Sequence, residues 1–231
     1  MANTVKVGRR AVLRFFDEIS EESRGHVTAV NAVVGEDLGV ALLKRYLESE
    51  RGAVVEAIDK PCTQGTLKGS RLDYWVKTKY TSGALVCYQV EIKNWSSTAI
   101  GGRELPLDIS PEKLRDWKKA QWNRLWDTEN QKFRELNNRL TLNKVFEKML
   151  CPCKDAKVEP LACLWWALHP DGEDTPWFDI PINRDACCFK ALHVFSMSSY
   201  LRNLPEEYIY LDMPDASQRM KSLTQMFDTA G

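Results

Sequence analysis

Apolar residues in the first part of the chain fall at Val12, Leu13, Phe15, Phe16 and Ile19, with acids and arginines between them. Recurrence at three and four residues predicts a helix, packed on the core or on a partner subunit, and the polar stretch 20–26 ends it. A wider stripe, Val33, Val34, Leu38, Ala41, Leu42 and Tyr46, predicts a second helix over 28–50. The period then shortens. Ala53 to Ile58 reads as a strand, and 59–69, with Pro61, Gly65 and Gly69, as a loop. Two runs rich in β-branched and aromatic residues follow, Ser70 to Val76 and Ala84 to Trp95, flanking a turn at Thr81-Ser82-Gly83. This is the pattern of a hairpin.

The stretch 94–110 is irregular. Ser110-Pro111-Glu112 then supplies an N-cap, a first-turn proline and a first-turn acid, opening a helix with Leu114, Trp117, Gln121, Trp122, Leu125 and Trp126 at helical spacing. Helical spacing continues through Phe133, Leu136, Leu140, Val145 and Leu150. After a break at 151–159, Leu161 to Leu168 reads as a buried strand and 169–181 as an acidic, proline-containing loop. Ala191 to Ser196 predicts a strand, 198–204 a short helix, and Tyr208 to Leu211 a last strand. Met220, Leu223, Met226 and Phe227 mark an amphipathic terminal helix. Helices and strands in this order predict an α/β fold with a central mixed β-sheet flanked by helices. The expected partition is an N-terminal helical segment at 1–28, a main domain at 29–210 with a helical elaboration at about 111–150, and a C-terminal helical tail at 211–231.

The hairpin is where charge meets a buried strand. Glu91 and Lys93 end the run Leu-Val-Cys-Tyr-Gln-Val, and residues two apart on a strand project from one face. Charge at the end of a buried strand is costly unless it is paired or bound to metal. Asp73 begins the other strand, so antiparallel pairing brings it toward Glu91. Two carboxylates can hold a hard divalent cation, and a lysine beside them can act on a water or a phosphate. The competing reading makes Glu-Ile-Lys a solvated strand edge and Asp73 a turn or cap residue.

Asp73, followed by Glu91-Ile92-Lys93 on the next strand, resembles the PD-(D/E)xK, or restriction-endonuclease-like, nuclease superfamily. Leu72 stands where the name-giving proline would be. The resemblance covers roughly residues 30–130 and fits more weakly up to about 205. An acid on a preceding helix is usual in that superfamily, and Glu36, between Gly35 and Gly39, is similar to it; the alternative is a first-turn acid favoured by the helix dipole. The resemblance implies a Mg2+-dependent endonuclease or exonuclease, with Mn2+ able to substitute. Asp73, Glu91 and Glu36 would be metal ligands, and Lys93 would join them as a catalytic residue. Gln121-Trp122 is loosely similar to a glutamine and aromatic that some members carry beside the site, which implies a supporting role for Gln121. Restriction, phage defence, repair and mobile-element biology are the settings such an enzyme would serve. The other class is a catalytically inactive module of the same fold that binds nucleic acid or protein.

Composition narrows this only locally. The 231-residue chain has a formal net charge of +0, which gives no global electrostatic case for nucleic acid. Between 112 and 148, however, ten Lys and Arg face six Asp and Glu, whereas from 155 onward six face twelve. Lys113, Lys118, Lys119 and Arg124, with Lys68 and Arg71, are therefore the candidate phosphate contacts, with DNA favoured over RNA. A homo-oligomer or a partner protein is also compatible with the pattern. No signal peptide or membrane span is evident, so a cytoplasmic, reduced protein is expected. Its seven cysteines then read mostly as small buried apolar residues. Cys151-Pro152-Cys153 and Cys187-Cys188 match no common zinc spacing, so structural zinc is not expected.

Overall fold

The computed structural model describes residues 3–17, 24–60, 72–94, 106, 108–126, 145, 151–153, 155–169, 171–182 and 188–226. The elements are β1 (Thr4–Gly8), α1 (Arg9–Asp17), α2 (Arg24–Ser49), β2 (Ala53–Asp59), β3 (Tyr74–Tyr80), β4 (Leu85–Lys93), α3 (Pro111–Trp126), β5 (Lys157–Leu164), β6 (Trp177–Pro181), β7 (Ala191–Ser196), α4 (Met197–Asn203), β8 (Tyr208–Asp212) and α5 (Pro214–Met226). A six-stranded sheet runs in the order β2-β3-β4-β5-β7-β6, and β1 pairs with β8 in a separate two-stranded ribbon. The β2–β3, β3–β4 and β6–β7 pairs are antiparallel, while β4–β5 and β5–β7 are parallel. The fold is therefore α/β with a mixed sheet.

Strand β4 lies inside the sheet. Six of its nine residues, Cys87 to Ile92, are buried, as a buried strand was expected here. The turn that feeds it is also where the sequence places it: Gly83 takes φ +84° and donates its amide to Tyr80 O. A glycine is suited to that left-handed conformation. Alternation gives β4 two unlike faces. Tyr88, Val90 and Ile92 join the main core with α2, whereas Cys87 packs with Leu72 and Trp75 in a second cluster. Gln89, fully buried on the Cys87 face, donates to Val145 O at 2.6 Å.

Helix α2 crosses the end of β4 at close range, and Gly35 and Gly39 permit this. A Cβ on Gly39 would stand 2.7 Å from Ile92 Cγ2, and one on Gly35 would stand 2.5 Å from Asn94 Nδ2. Buried Leu38, Leu42, Leu43, Tyr46 and Leu47 carry the rest of the helix onto the core. Asp37 accepts the Ala216 amide at 2.7 Å and so holds α5 against α2.

Three expectations change. The first 28 residues open with a strand, β1, before α1, because Thr4 to Gly8 pairs with Tyr208 to Asp212 at the far end of the chain. The stretch read as an acidic loop contains β6, an edge strand ending in Pro181. A proline at that place is tolerated because an edge strand has an unpaired side. Strand β5 starts at Lys157 and ends at Leu164, earlier than read. Of the expected helical elaboration, α3 accounts for 111–126, and most of 127–150 lies outside the described residues.

Candidate functional site

Register places the charged residues. The last β3–β4 pair is Tyr74 with Val90, so one step further Asp73 stands opposite Glu91. Asp73 lies just before β3, where the ladder opens. Its amide donates to Val90 O at 3.1 Å, and its Oδ2 accepts the Ile92 amide at 2.6 Å. The carboxylate thus extends the ladder past the end of β3 and grips β4 between Glu91 and Lys93.

Glu91 is 2% exposed, and its Oε1 accepts Lys93 Nζ at 2.5 Å. Lys93 Nζ also donates to Ile92 O at 3.2 Å, which fixes the ammonium at the strand end. The Trp165 amide donates to Lys93 O at 2.8 Å and closes the β4–β5 side of this corner. Asp73, Glu91 and Lys93 are therefore gathered at one end of one strand pair.

Glu36 stands in the other layer, on the side of β4 opposite Glu91. Its helix packs on the Ile92 face, and Glu36 itself is exposed beside Gly35, which touches Asn94. Burial, with the negative charges of Asp37, Glu36, Asp215 and Asp73, pushes the Tyr74 phenol well above its usual range. Burial and then the charge of Asp73 likewise raise the Cys163 thiol on β5. Glu36 and Asp73 thus both act on Tyr74. Yet Glu36, Asp73 and Glu91 do not bring three carboxylate oxygens within 4.8 Å of one another.

Asp73 and Glu91, opposite each other in register, are donors of the kind Mg2+ takes, one or two carboxylates beside several waters. A second observation at the same corner agrees with a wet, polar site. Asn31 Oδ1 and Asn94 Oδ1 are buried and have no hydrogen-bond partner among the described residues, while Asn31 Nδ2 donates to Asn94 O at 3.3 Å. Buried amide oxygens of this kind are commonly satisfied by ordered water.

The expected basic surface divides. Lys113 and Lys119 are exposed on α3. Lys118, expected on the solvent side with them, is 7% exposed and holds its Nζ 4.6 Å from the Trp166 ring centroid. Its charge is turned onto an aromatic face instead of toward solvent. The helical period explains this, because position 118 lies four residues after Leu114 and so falls on the apolar stripe. Lys68 and Arg71 lie outside the described residues, as do the side chains of Gln121 and Arg124.

Sequence reasoning missed one set of residues. Cys87, Cys151 and Cys153 bring their sulfurs within 4.8 Å of one another, the one such group of three His, Cys, Asp or Glu side chains among the described residues. Burial pushes the Cys87 and Cys153 thiols above their usual range. Local spacing could not reveal the set, since Cys87 and Cys153 are 66 positions apart.

Compared with protein-family models, with curated proteins and with solved structures, the chain finds no match in any of the three. Among the described residues no helix is long and apolar enough to cross a membrane.

Proposed function

We propose that the chain is a metal-dependent nuclease that hydrolyses phosphodiester bonds, with DNA the favoured substrate. The observation that carries this reading is the bond from the Ile92 amide to Asp73 Oδ2, which brings the first acid to the backbone between Glu91 and Lys93. The run α2, β2, β3–β4 hairpin, α3, β5 is also the order a restriction-endonuclease-like core implies.

On this reading Asp73 and Glu91 hold Mg2+, for which Mn2+ can substitute, and Glu36 orients water from the helix side. The ion would lower the pKa of a water and neutralise phosphate charge. Lys93, steered by Glu91 Oε1 and Ile92 O, places one positive charge at the strand end. There it either positions the attacking water or stabilises charge developing on the phosphate. Lys113 and Lys119 supply phosphate contacts that weaken with salt.

The test is incubation of the purified chain with duplex DNA, single-stranded DNA and RNA, in Mg2+, Mn2+ or EDTA. Asp73→Ala, Glu91→Ala and Lys93→Ala should each lose cleavage by orders of magnitude, because each removes an interaction used in the transition state. Asp73→Ala and Glu91→Ala should also lose the rise in melting temperature that Mg2+ produces, while Lys93→Ala keeps it.

One observation favours a binding module without catalysis. Glu91 and Lys93 satisfy each other at 2.5 Å, as a structural ion pair would. In that case the wild type cuts nothing and ignores Mg2+, and Lys93→Ala costs roughly 3–5 kcal/mol by taking the positive partner from a buried carboxylate. That pair of results would overturn the nuclease reading.

A further inference from the structure

We propose that Cys87, Cys151 and Cys153 form a three-thiolate site for Zn2+ that fastens the segment before β5 onto β4. The proposal does not rest on the nuclease reading.

The three sulfurs come from two distant parts of the chain and meet at one point. Cys87 is fully buried in β4, while Cys151 and Cys153 are half-buried in the connection that leads to β5. All three are free thiols, and the Cys87 and Cys153 sulfurs lie 3.2 Å apart. That is too far for a disulfide, whose bond is about 2.05 Å. Tetrahedral geometry gives two sulfurs each about 2.3 Å from one zinc ion a separation of roughly 3.8 Å, so the pair would open by about 0.6 Å to admit the ion.

The surroundings are those of a metal knuckle. The Cys153 amide donates to Cys151 Sγ at 3.3 Å, so the short Cys-Pro-Cys turn points a backbone dipole at a sulfur. Such a bond orients a ligand and favours its thiolate form. Lys77 lies within electrostatic reach of Cys87 and Cys153 and is paired with Glu56 at 2.8 Å. Leu72, Trp75, Ala156 and Val158 form an apolar wall around the rest. An ion would bind them as thiolates and supply the compensating charge, and thiolate sulfur selects a soft or borderline ion over Mg2+. Among the described residues no fourth His, Cys, Asp or Glu joins the set, so water completes the coordination from the half-buried Cys151 and Cys153 side.

The donor types keep this site separate from the acidic corner. Cys87 and Glu91 share a face of β4 but stand four residues apart, about 13 Å along a strand. One offers sulfur and the other oxygen.

The experiment uses the full chain, purified metal-free under reducing conditions and titrated with Co2+ as a spectroscopic probe and then with Zn2+. A single equivalent of Co2+ should give sulfur-to-metal charge-transfer absorption with the visible bands of tetrahedral cobalt. Zn2+ should abolish both and raise the melting temperature, and excess Mg2+ should change neither. Cys151→Ser, at a half-buried position, should lose the charge-transfer band in a folded protein, whereas Cys188→Ser, at an exposed cysteine outside the set, should keep it. A wild type that shows no charge-transfer band would overturn the proposal. So would a band that survives in Cys151→Ser, or a melting temperature that ignores Zn2+. Cleavage activity is read separately, so loss of one reading leaves the other standing.

Discussion

Replacing Gly39 with alanine tests the helix–strand contact on which the acidic corner depends. Alanine favours a helix interior over glycine by about 1 kcal/mol, so on an open helix face Gly39→Ala would stabilise. Here the added Cβ would meet Ile92 Cγ2 at 2.7 Å and Met197 Sδ at 3.3 Å. Carbon atoms in contact prefer about 3.5–4.0 Å, so something must yield by nearly 1 Å. Met197 is flexible and can turn. Ile92 is 5% exposed on a strand held on both sides by ladders, so it is the harder group to move. Overpacking of this kind costs about 1–3 kcal/mol. Set against the helix gain, the net is a loss of about 1 kcal/mol, or roughly 2–4 °C in melting temperature for a chain of this size.

The assay is urea unfolding of wild type, Gly39→Ala, Ile92→Ala and the double variant. Ile92→Ala alone should cost about 2–5 kcal/mol as a cavity. In the double variant the new methyl enters space the isoleucine left, so the two losses should fall short of additivity by about 1–3 kcal/mol. On the nuclease reading, because the Ile92 amide holds Asp73, Gly39→Ala should also lower cleavage more than its small stability loss would explain. A Gly39→Ala protein more stable than wild type, or strict additivity in the cycle, would refute the close approach.

Two further expectations concern charge. Burial pushes the Asp174 carboxyl up, but hydrogen bonds from Arg202 and Ser199 and the charges of Arg202 and Arg115 outweigh it and hold the group below its usual value. The stability it contributes is therefore full above the ordinary Asp value of about 3.9 and fades as pH falls through the lower folded value. The melting-temperature gap between wild type and Asp174→Asn should be level from neutral pH to about pH 4 and shrink below it; a gap that widens in acid would reverse the assignment. On α3, Lys113→Glu and Lys119→Glu should weaken DNA binding and flatten its salt dependence with little change in melting temperature, whereas Lys118→Glu should melt early by placing a carboxylate against Trp166. Equal melting temperatures for all three would mean that Lys118 is not packed as described.

What the sequence made legible was local. The mostly apolar run Leu-Val-Cys-Tyr-Gln-Val marked β4, and the Thr81-Ser82-Gly83 turn marked the hairpin, because each is written within a dozen residues. Two glycines around Glu36 called for a packing reason, and Ile92 and Asn94 provide it. The remainder depended on partners the sequence does not place side by side. Strand β1 is five residues with a polar–apolar alternation, and only Tyr208 to Asp212 makes it a strand. Strand β6, between prolines 176 and 181, looks like a loop until β7 offers it an edge. The thiol cluster needs a cysteine from a strand and two from a later turn, a relation that local ligand spacing cannot express.

The Cys87 face of β4 joins these observations. A strand with neighbours on both sides and both faces covered is ordinarily apolar throughout. Here Tyr88, Val90 and Ile92 obey that rule, while Cys87, Gln89, Glu91 and Lys93 form a polar row on the opposite face. Each member is satisfied differently: Cys87 by Cys153, Gln89 by Val145 O, and Glu91 by Lys93. Two of these partners belong to the chain between α3 and β5, so that connection compensates the polar row from outside the sheet. Burying such groups without partners would cost about 1–3 kcal/mol each. An ion at the thiol cluster would hold the connection where Gln89 needs it, and ordering β4 there would steady the strand whose end carries Glu91 and Lys93. The sulfur site and the oxygen site would then be linked through one strand, with the first acting on structure and the second on chemistry.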